Sequence, residues 1–140
     1  EEIASLLERL DGRRVIMAMG DTSVLVTAAL LQECRLMAGG DSGIGHLALA
    51  VGTPALRIFG PSDGPGYAAI DQQKNVDFAL SLDCRPCLVS GIFRPGALSY
   101  PVCPHKNCLN QVSVDMVYVS VSNQMTRLGV ALTQPGRGAP

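Results

Sequence analysis

The chain has 140 residues, 47% of them hydrophobic and 16% charged, and a formal net charge of −1 at pH 7. That length and composition support one domain with a real core. The balanced charge, without a basic stripe, excludes nucleic acid as the main partner, and apolar runs stop well short of the roughly 18 residues a membrane span needs.

Ile3, Leu6, Leu7 and Leu10 stand at helical spacing, and Asp11-Gly12 ends that helix. The pattern is already helical at Glu1, so the chain reads as a piece of something longer. The chain shows no signal-peptide pattern. Arg14 to Met19 is a short apolar run between Gly12 and Gly20, the pattern of a buried strand. Asp21, Thr22 and Ser23 form a cap cluster for a helix running to about Cys34. Its wide apolar face (Val24, Leu25, Ala28, Leu31) should pack on a sheet. Leu36 to Ala38 is the next expected strand, ending at a turn rich in Gly39, Gly40, Gly43 and Gly45. Ser42 can cap a short apolar helix over 43–51, and Gly52 with Pro54 can end it. Ala55 to Phe59 reads as a third strand and Val76 to Leu80 as a further short one. Strands alternating with helices predict βαβ units and a parallel sheet.

Residues 84–108 should be irregular, because Pro86, Pro95, Pro101 and Pro104 forbid a long helix. Ser113 to Leu128 fits both helix and strand periods. Ser113 as cap and Asp115 in the first turn favour helix. From Gln134 the chain is rich in Pro and Gly, and residues 129–140 read as a flexible tail.

Ligands of open parallel sheets bind beyond the carboxyl ends of the strands. The Gly39–Ser42 and Gly60–Gly66 turns should therefore lie side by side. Free N–H groups at the helix start after Ser42, with the helix dipole, would suit a phosphate. Asp41 is either a turn carboxylate or a group facing sugar hydroxyls, because a carboxylate beside a diphosphate is otherwise repulsive. His46 is either a ligand-side imidazole or one bonded to a backbone carbonyl. Arg57, in a buried strand, should snorkel to an edge or pair with an acid. Of five cysteines, Cys84, Cys87, Cys103 and Cys108 cluster late. Their C-x2-C-x15-C-x4-C spacing approaches a zinc ribbon, with His105 as another possible ligand. Packed free thiols, or a disulfide formed on handling, are the competing reading; the expected context is reduced and cytoplasmic rather than one of a disulfide framework. Either way the segment should be structural and remote from the chemistry.

Asp41-Ser-Gly-Ile-Gly-His46, then Leu-Ala-Leu-Ala-Val-Gly-Thr-Pro54, then Phe59-Gly-Pro-Ser-Asp63 resembles the signature of the bacterial lipopolysaccharide heptosyltransferases, family nine of the glycosyltransferases. Cys84-Arg-Pro-Cys87 and Cys108-Leu-x-x-Val112 resemble a segment of many members. The resemblance implies the GT-B fold, in which two Rossmann-like α/β domains flank a cleft. It covers only the second, donor-binding half, here residues 1–128 with the 84–108 cysteine segment inside it. Asp41 would hydrogen-bond the donor sugar. The amides of Ser42, Gly43 and Ile44 would hold the diphosphate, and Gly45 would permit close approach. His46 would sit beside the phosphates or fix the turn, and Glu2 would grip the ribose. Ser42 stands where the family has Thr, and Gly64 where it has Pro after Asp63.

The acceptor site and the catalytic acidic residue belong to the family's first domain. No catalytic residue is therefore expected in this chain, which alone should transfer nothing. No metal or cofactor is implied for the transfer. The expected function is donor binding in an inverting glycosyltransferase of lipopolysaccharide or cell-surface glycan synthesis. The donor would be ADP-heptose-like. The location would be cytoplasmic, with membrane association only through the lipid-linked acceptor. A stand-alone nucleotide- or phosphate-binding module, or a zinc-ribbon interaction protein, are the alternatives.

Overall fold

A computed structural model describes residues 15–18, 20–62, 74–89, 92–93 and 103–130. In chain order these form α1 (Val24–Glu33), β1 (Met37–Gly40), α2 (Gly43–Ala50), β2 (Ala55–Phe59) and β3 (Val76–Ala79). The two-residue strands β4 (Leu88–Val89) and β5 (Ile92–Phe93), a short α3 (Asn107–Asn110) and α4 (Val114–Arg127) follow. The expected helix over 1–10, the ends of the Arg14–Met19 run and the tail from Gln134 lie outside the described residues.

The sheet is parallel, in the order β1-β2-β3. Met37 pairs with Ala55 and Gly40 with Ile58; Leu56 pairs with Val76 and Phe59 with Ala79. Central β2 is the buried strand, as expected: Ala55, Leu56 and Phe59 are fully enclosed. Helix α2 packs on β1 and β2, α1 packs on α2, and α4 packs against β2. The fold is thus the α/β arrangement with a parallel sheet that the strand–helix alternation predicts, and it is Rossmann-like, as the family resemblance implies.

The local signals explain the element ends. The Ser23 hydroxyl accepts from the Val26 amide and the Ser113 hydroxyl from the Met116 amide. Helix α2 stops where Gly52 turns to φ +81°. There the Gly52 amide donates to Leu49 O and the Thr53 amide to Ala48 O, the paired bonds of a Schellman motif. Gly129, at φ +71°, ends α4 the same way, with its amide on Thr126 O and the Val130 amide on Met125 O.

Three expectations change. Residues 15–18 form no strand, and Ile16 is 92% exposed; an apolar run becomes a strand only where a sheet edge pairs with it. Strand β1 starts one residue and ends two residues later than expected, and Gly39 and Gly40 lie in its ladder rather than in a turn. Pairing with Arg57 and Ile58 overrides the local preference of glycine. Helix α1 does not lie on the sheet by a wide face. Leu25 is 81% exposed, and of its residues only Leu31 is buried, against Ala48 and Ala55. Small-residue α2 occupies that sheet face, so α1 reaches it only by its last turn.

Arg57 is fully buried in the middle of β2. Its Nε and Nη2 donate to Asp77 Oδ1 and Oδ2, both at 2.9 Å, and its guanidinium stacks 5.0 Å from the Phe59 ring centroid. Asp77 is its register partner on β3. The pairing option foreseen for Arg57 is therefore the one realised. Removing one partner of a buried pair strands the other charge. Asp77→Ala should lower unfolding free energy by about 3 kcal/mol. Replacing both, as Arg57→Met with Asp77→Leu, should cost less. Urea midpoints of the three proteins test this, and an unshifted midpoint for Asp77→Ala would refute it.

Candidate functional site

The carboxyl edge of the sheet brings two turns together. The first is Asp41-Ser42, between β1 and α2; the second is Gly60–Ser62, after β2. They touch directly: Ser62 Oγ donates to Asp41 Oδ2 at 2.6 Å. The expected neighbourhood of the two turns is thus present as far as Ser62. Asp63, Gly64 and the rest of the second turn lie outside the described residues, as does Glu2.

At the start of α2, the Asp41 amide bonds Ile58 O, and the amides of Gly45 and His46 bond Ser42 O at 3.1 and 3.4 Å. Among the described residues, nothing accepts from the amides of Ser42, Gly43 and Ile44. All three residues are exposed. The Ser42 side chain makes no cap hydrogen bond, contrary to expectation. With Ser42 at φ −158°, ψ 168°, its carbonyl rather than its hydroxyl turns to the helix. The result is a set of open donors at the positive end of an eight-residue helix.

Asp41 and His46 flank these donors. His46 Nε2 lies 3.9 Å from Asp41 Oδ1, and the imidazole is about half exposed. A protonated imidazole would pair with the carboxylate. Gly45 is different: it is buried, and a Cβ there would lie 3.0 Å from Arg57 Cδ and 3.3 Å from Cγ. Its close approach is to the buried arginine beneath the helix, which the sequence reading did not anticipate.

The cysteine segment is nearer this rim than expected. The amides of Cys87 and Leu88 both donate to Pro61 O, at 2.9 and 3.0 Å. Arg85 donates to Gly60 O through Nε, to Leu80 O through Nη1 and to Ser62 O through Nη2. Three consecutive carbonyls of the second turn are therefore held by residues 85–88. Sequence reasoning quoted both Phe59-Gly-Pro-Ser-Asp63 and Cys84-Arg-Pro-Cys87 without giving Ser62 or Arg85 a role. The placement of the two motifs on one edge is the signal that was missing.

The five cysteines are free thiols. Among the described residues, which include Cys84, Cys87, Cys103, His105 and Cys108, no three ligating side chains gather as a metal site. Hydrogen bonds from the Lys106 and His105 amides, aided by the Lys106 charge, hold the Cys103 thiol below the ordinary thiol range. Burial pushes Cys108 up, against the opposing charge of Arg85.

Two outcomes follow. Gly45→Ala should destabilise the protein by about 1–3 kcal/mol, because Arg57 is pinned by Asp77 and Phe59 and has no room to give. Thermal unfolding measures it, and a stabilised variant would contradict the packing. Iodoacetamide labelling read by mass spectrometry should modify Cys103 before Cys108. As pH falls, labelling at Cys103 should persist longer, since more of its thiolate survives. Equal rates would contradict the assignment.

Comparison with known proteins bears on this arrangement. The sequence model of glycosyltransferase family 9 (heptosyltransferase) matches residues 1–93. Over 90 residues the chain is 31% identical to lipopolysaccharide heptosyltransferase 1 of Pseudomonas aeruginosa, a match covering 60% of this chain and 25% of that protein. The chain thus spans about a quarter of the length of that relative. No solved structure matches. Both turns of the rim fall inside the family match, which takes in well over half of the sequence, and the chain belongs to glycosyltransferase family 9.

Proposed function

We propose that this chain forms the nucleotide-sugar-binding part of an inverting glycosyltransferase of lipopolysaccharide synthesis, with an ADP-heptose-like donor. The observation that carries the reading is the trio of open amides at Ser42, Gly43 and Ile44, at the carboxyl edge of a parallel sheet. The family membership and the heptosyltransferase relative support the same class of ligand.

In this reading the amides take the diphosphate and Asp41 takes sugar hydroxyls. Asp41 is suited to that task. Ser62 occupies Oδ2, so Oδ1 is the oxygen left to a ligand hydroxyl. His46 Nε2, 3.9 Å from Asp41 Oδ1, would steady the carboxylate or donate to a phosphate oxygen. The acceptor hydroxyl would be deprotonated by a base outside this chain. As the sugar–oxygen bond breaks, charge grows on the departing diphosphate, and fixed amide dipoles at the start of α2 would stabilise it. This requires no metal and no cofactor. Among the described residues, no helix is long and apolar enough to cross a membrane.

A thermal-shift panel of ADP, UDP, GDP and their sugar conjugates tests the reading. One nucleotide series should raise the midpoint, the conjugate more than the bare diphosphate. Asp41→Asn should weaken the conjugate by about tenfold or more, the scale of a hydrogen bond to a charged group, while the bare diphosphate binds as before. His46→Ala should weaken both. The absence of any response across the panel in the full-length protein would refute the assignment.

A further inference from the structure

We propose that Arg85 is a positioning residue for the Asp41 carboxylate, acting through the Gly60–Ser62 turn. The inference rests on the reading of Asp41 as the sugar-facing group, and deepens it.

A guanidinium is planar and offers five N–H donors in a fixed fork. Arg85 spends three of its nitrogens on three backbone carbonyls, those of Gly60 and Ser62 in one turn and Leu80 just after β3. Between them, Pro61 O accepts the amides of Cys87 and Leu88. The turn thus has no carbonyl from 60 to 62 left to drift. On its other side, a Cβ at Gly60 would meet the Leu109 side chain at 3.1 Å, so packing closes that direction too. What the pinned turn presents is the Ser62 hydroxyl. Ser62 is only 6% exposed, and its Oγ reaches Asp41 Oδ2 at 2.6 Å, the length of a charge-assisted bond. Ser62 therefore selects which carboxylate oxygen is engaged and which is left, and Arg85 fixes Ser62. Lysine cannot replace the fork, because one ammonium cannot serve three carbonyls spread over two segments in the same geometry.

The test uses the full-length protein and its Arg85→Met, Arg85→Lys and Ser62→Ala variants. Calorimetric titration with ADP and with ADP-heptose gives the preference for the conjugate. Arg85→Met and Ser62→Ala should each cut that preference about tenfold, and Arg85→Lys by less. ADP affinity, which depends on the amides of residues 42–44, should stay within about twofold. Arg85→Met combined with Ser62→Ala should lose no more than the worse single variant, because both cut one chain of contacts. A general structural role would weaken both ligands together and would overturn the proposal, as would full additivity. Crystal structures of unliganded Arg85→Met, or of Arg85→Lys if the first does not fold, supply a ligand-independent reading. Ser62 Oγ and Asp41 Oδ2 should part beyond hydrogen-bonding distance. A retained contact overturns the role of Arg85 whether or not either nucleotide binds. Failure of the donor reading looks different: the unaltered protein shows no preference for ADP-heptose, yet the contact still opens in the variants.

Discussion

Parallel pairing on both sides of β2 is the constraint from which the rest of this structure follows. It sends the carboxyl ends of β1 and β2 to the same edge, so that residues 41 and 62, far apart in sequence, meet across 2.6 Å. An antiparallel neighbour would have sent one of those turns to the opposite edge. Burial of β2 then sets what the helices above it can be. Helix α2 must lie close, and it does so with Gly45 and Ala48 at its contact face.

Arg57 makes that closeness conditional. A charged side chain in the central strand is tolerable only when its fork is answered, and Asp77 answers it from the register position on the next strand. The guanidinium stem then fills the space beneath α2, which leaves no room for a Cβ at position 45. The glycines of the signature therefore have unlike causes. Gly39 and Gly40 lie in a strand, Gly43 opens the helix with its amide exposed, and Gly45 yields to the core. A motif that looks like one loop built around a ligand is partly a record of packing beneath it.

How much of this could be read beforehand depended on range. Ser23, Ser113 and Gly52 act within one turn of chain, and each end they predict is where the helix ends. Ala55–Phe59 is apolar but for Arg57, and its bounds agree with expectation. Gly39 and Gly40 misled because their partner strand lies beyond a helix, and pairing outweighs intrinsic preference. The acid facing Arg57 could be anticipated as a type but not as Asp77, since register across residues 60–75 leaves no local trace. Arg85 was hidden for a different reason. Its partners are main-chain carbonyls, and any residue type can supply those. The same blindness explains why the cysteine segment was expected to be remote.

The electrostatics of the rim raise one further question, which is why an anion-binding edge would keep a carboxylate in it. Open amides and a helix dipole favour negative charge, and Asp41 adds a competing negative charge beside them. A carboxylate at this place could turn toward the amides of Ser42 and Gly43 and occupy the helix start itself. It does not do so here. Ser62 holds Oδ2 and His46 stands beside Oδ1, and the amides of residues 42–44 stay open. On the proposed function, the restraint on Asp41 matters as much as its charge. A diphosphate would meet the open amides whether or not the carboxylate is held, whereas a sugar hydroxyl would be recognised only by an oxygen fixed in place.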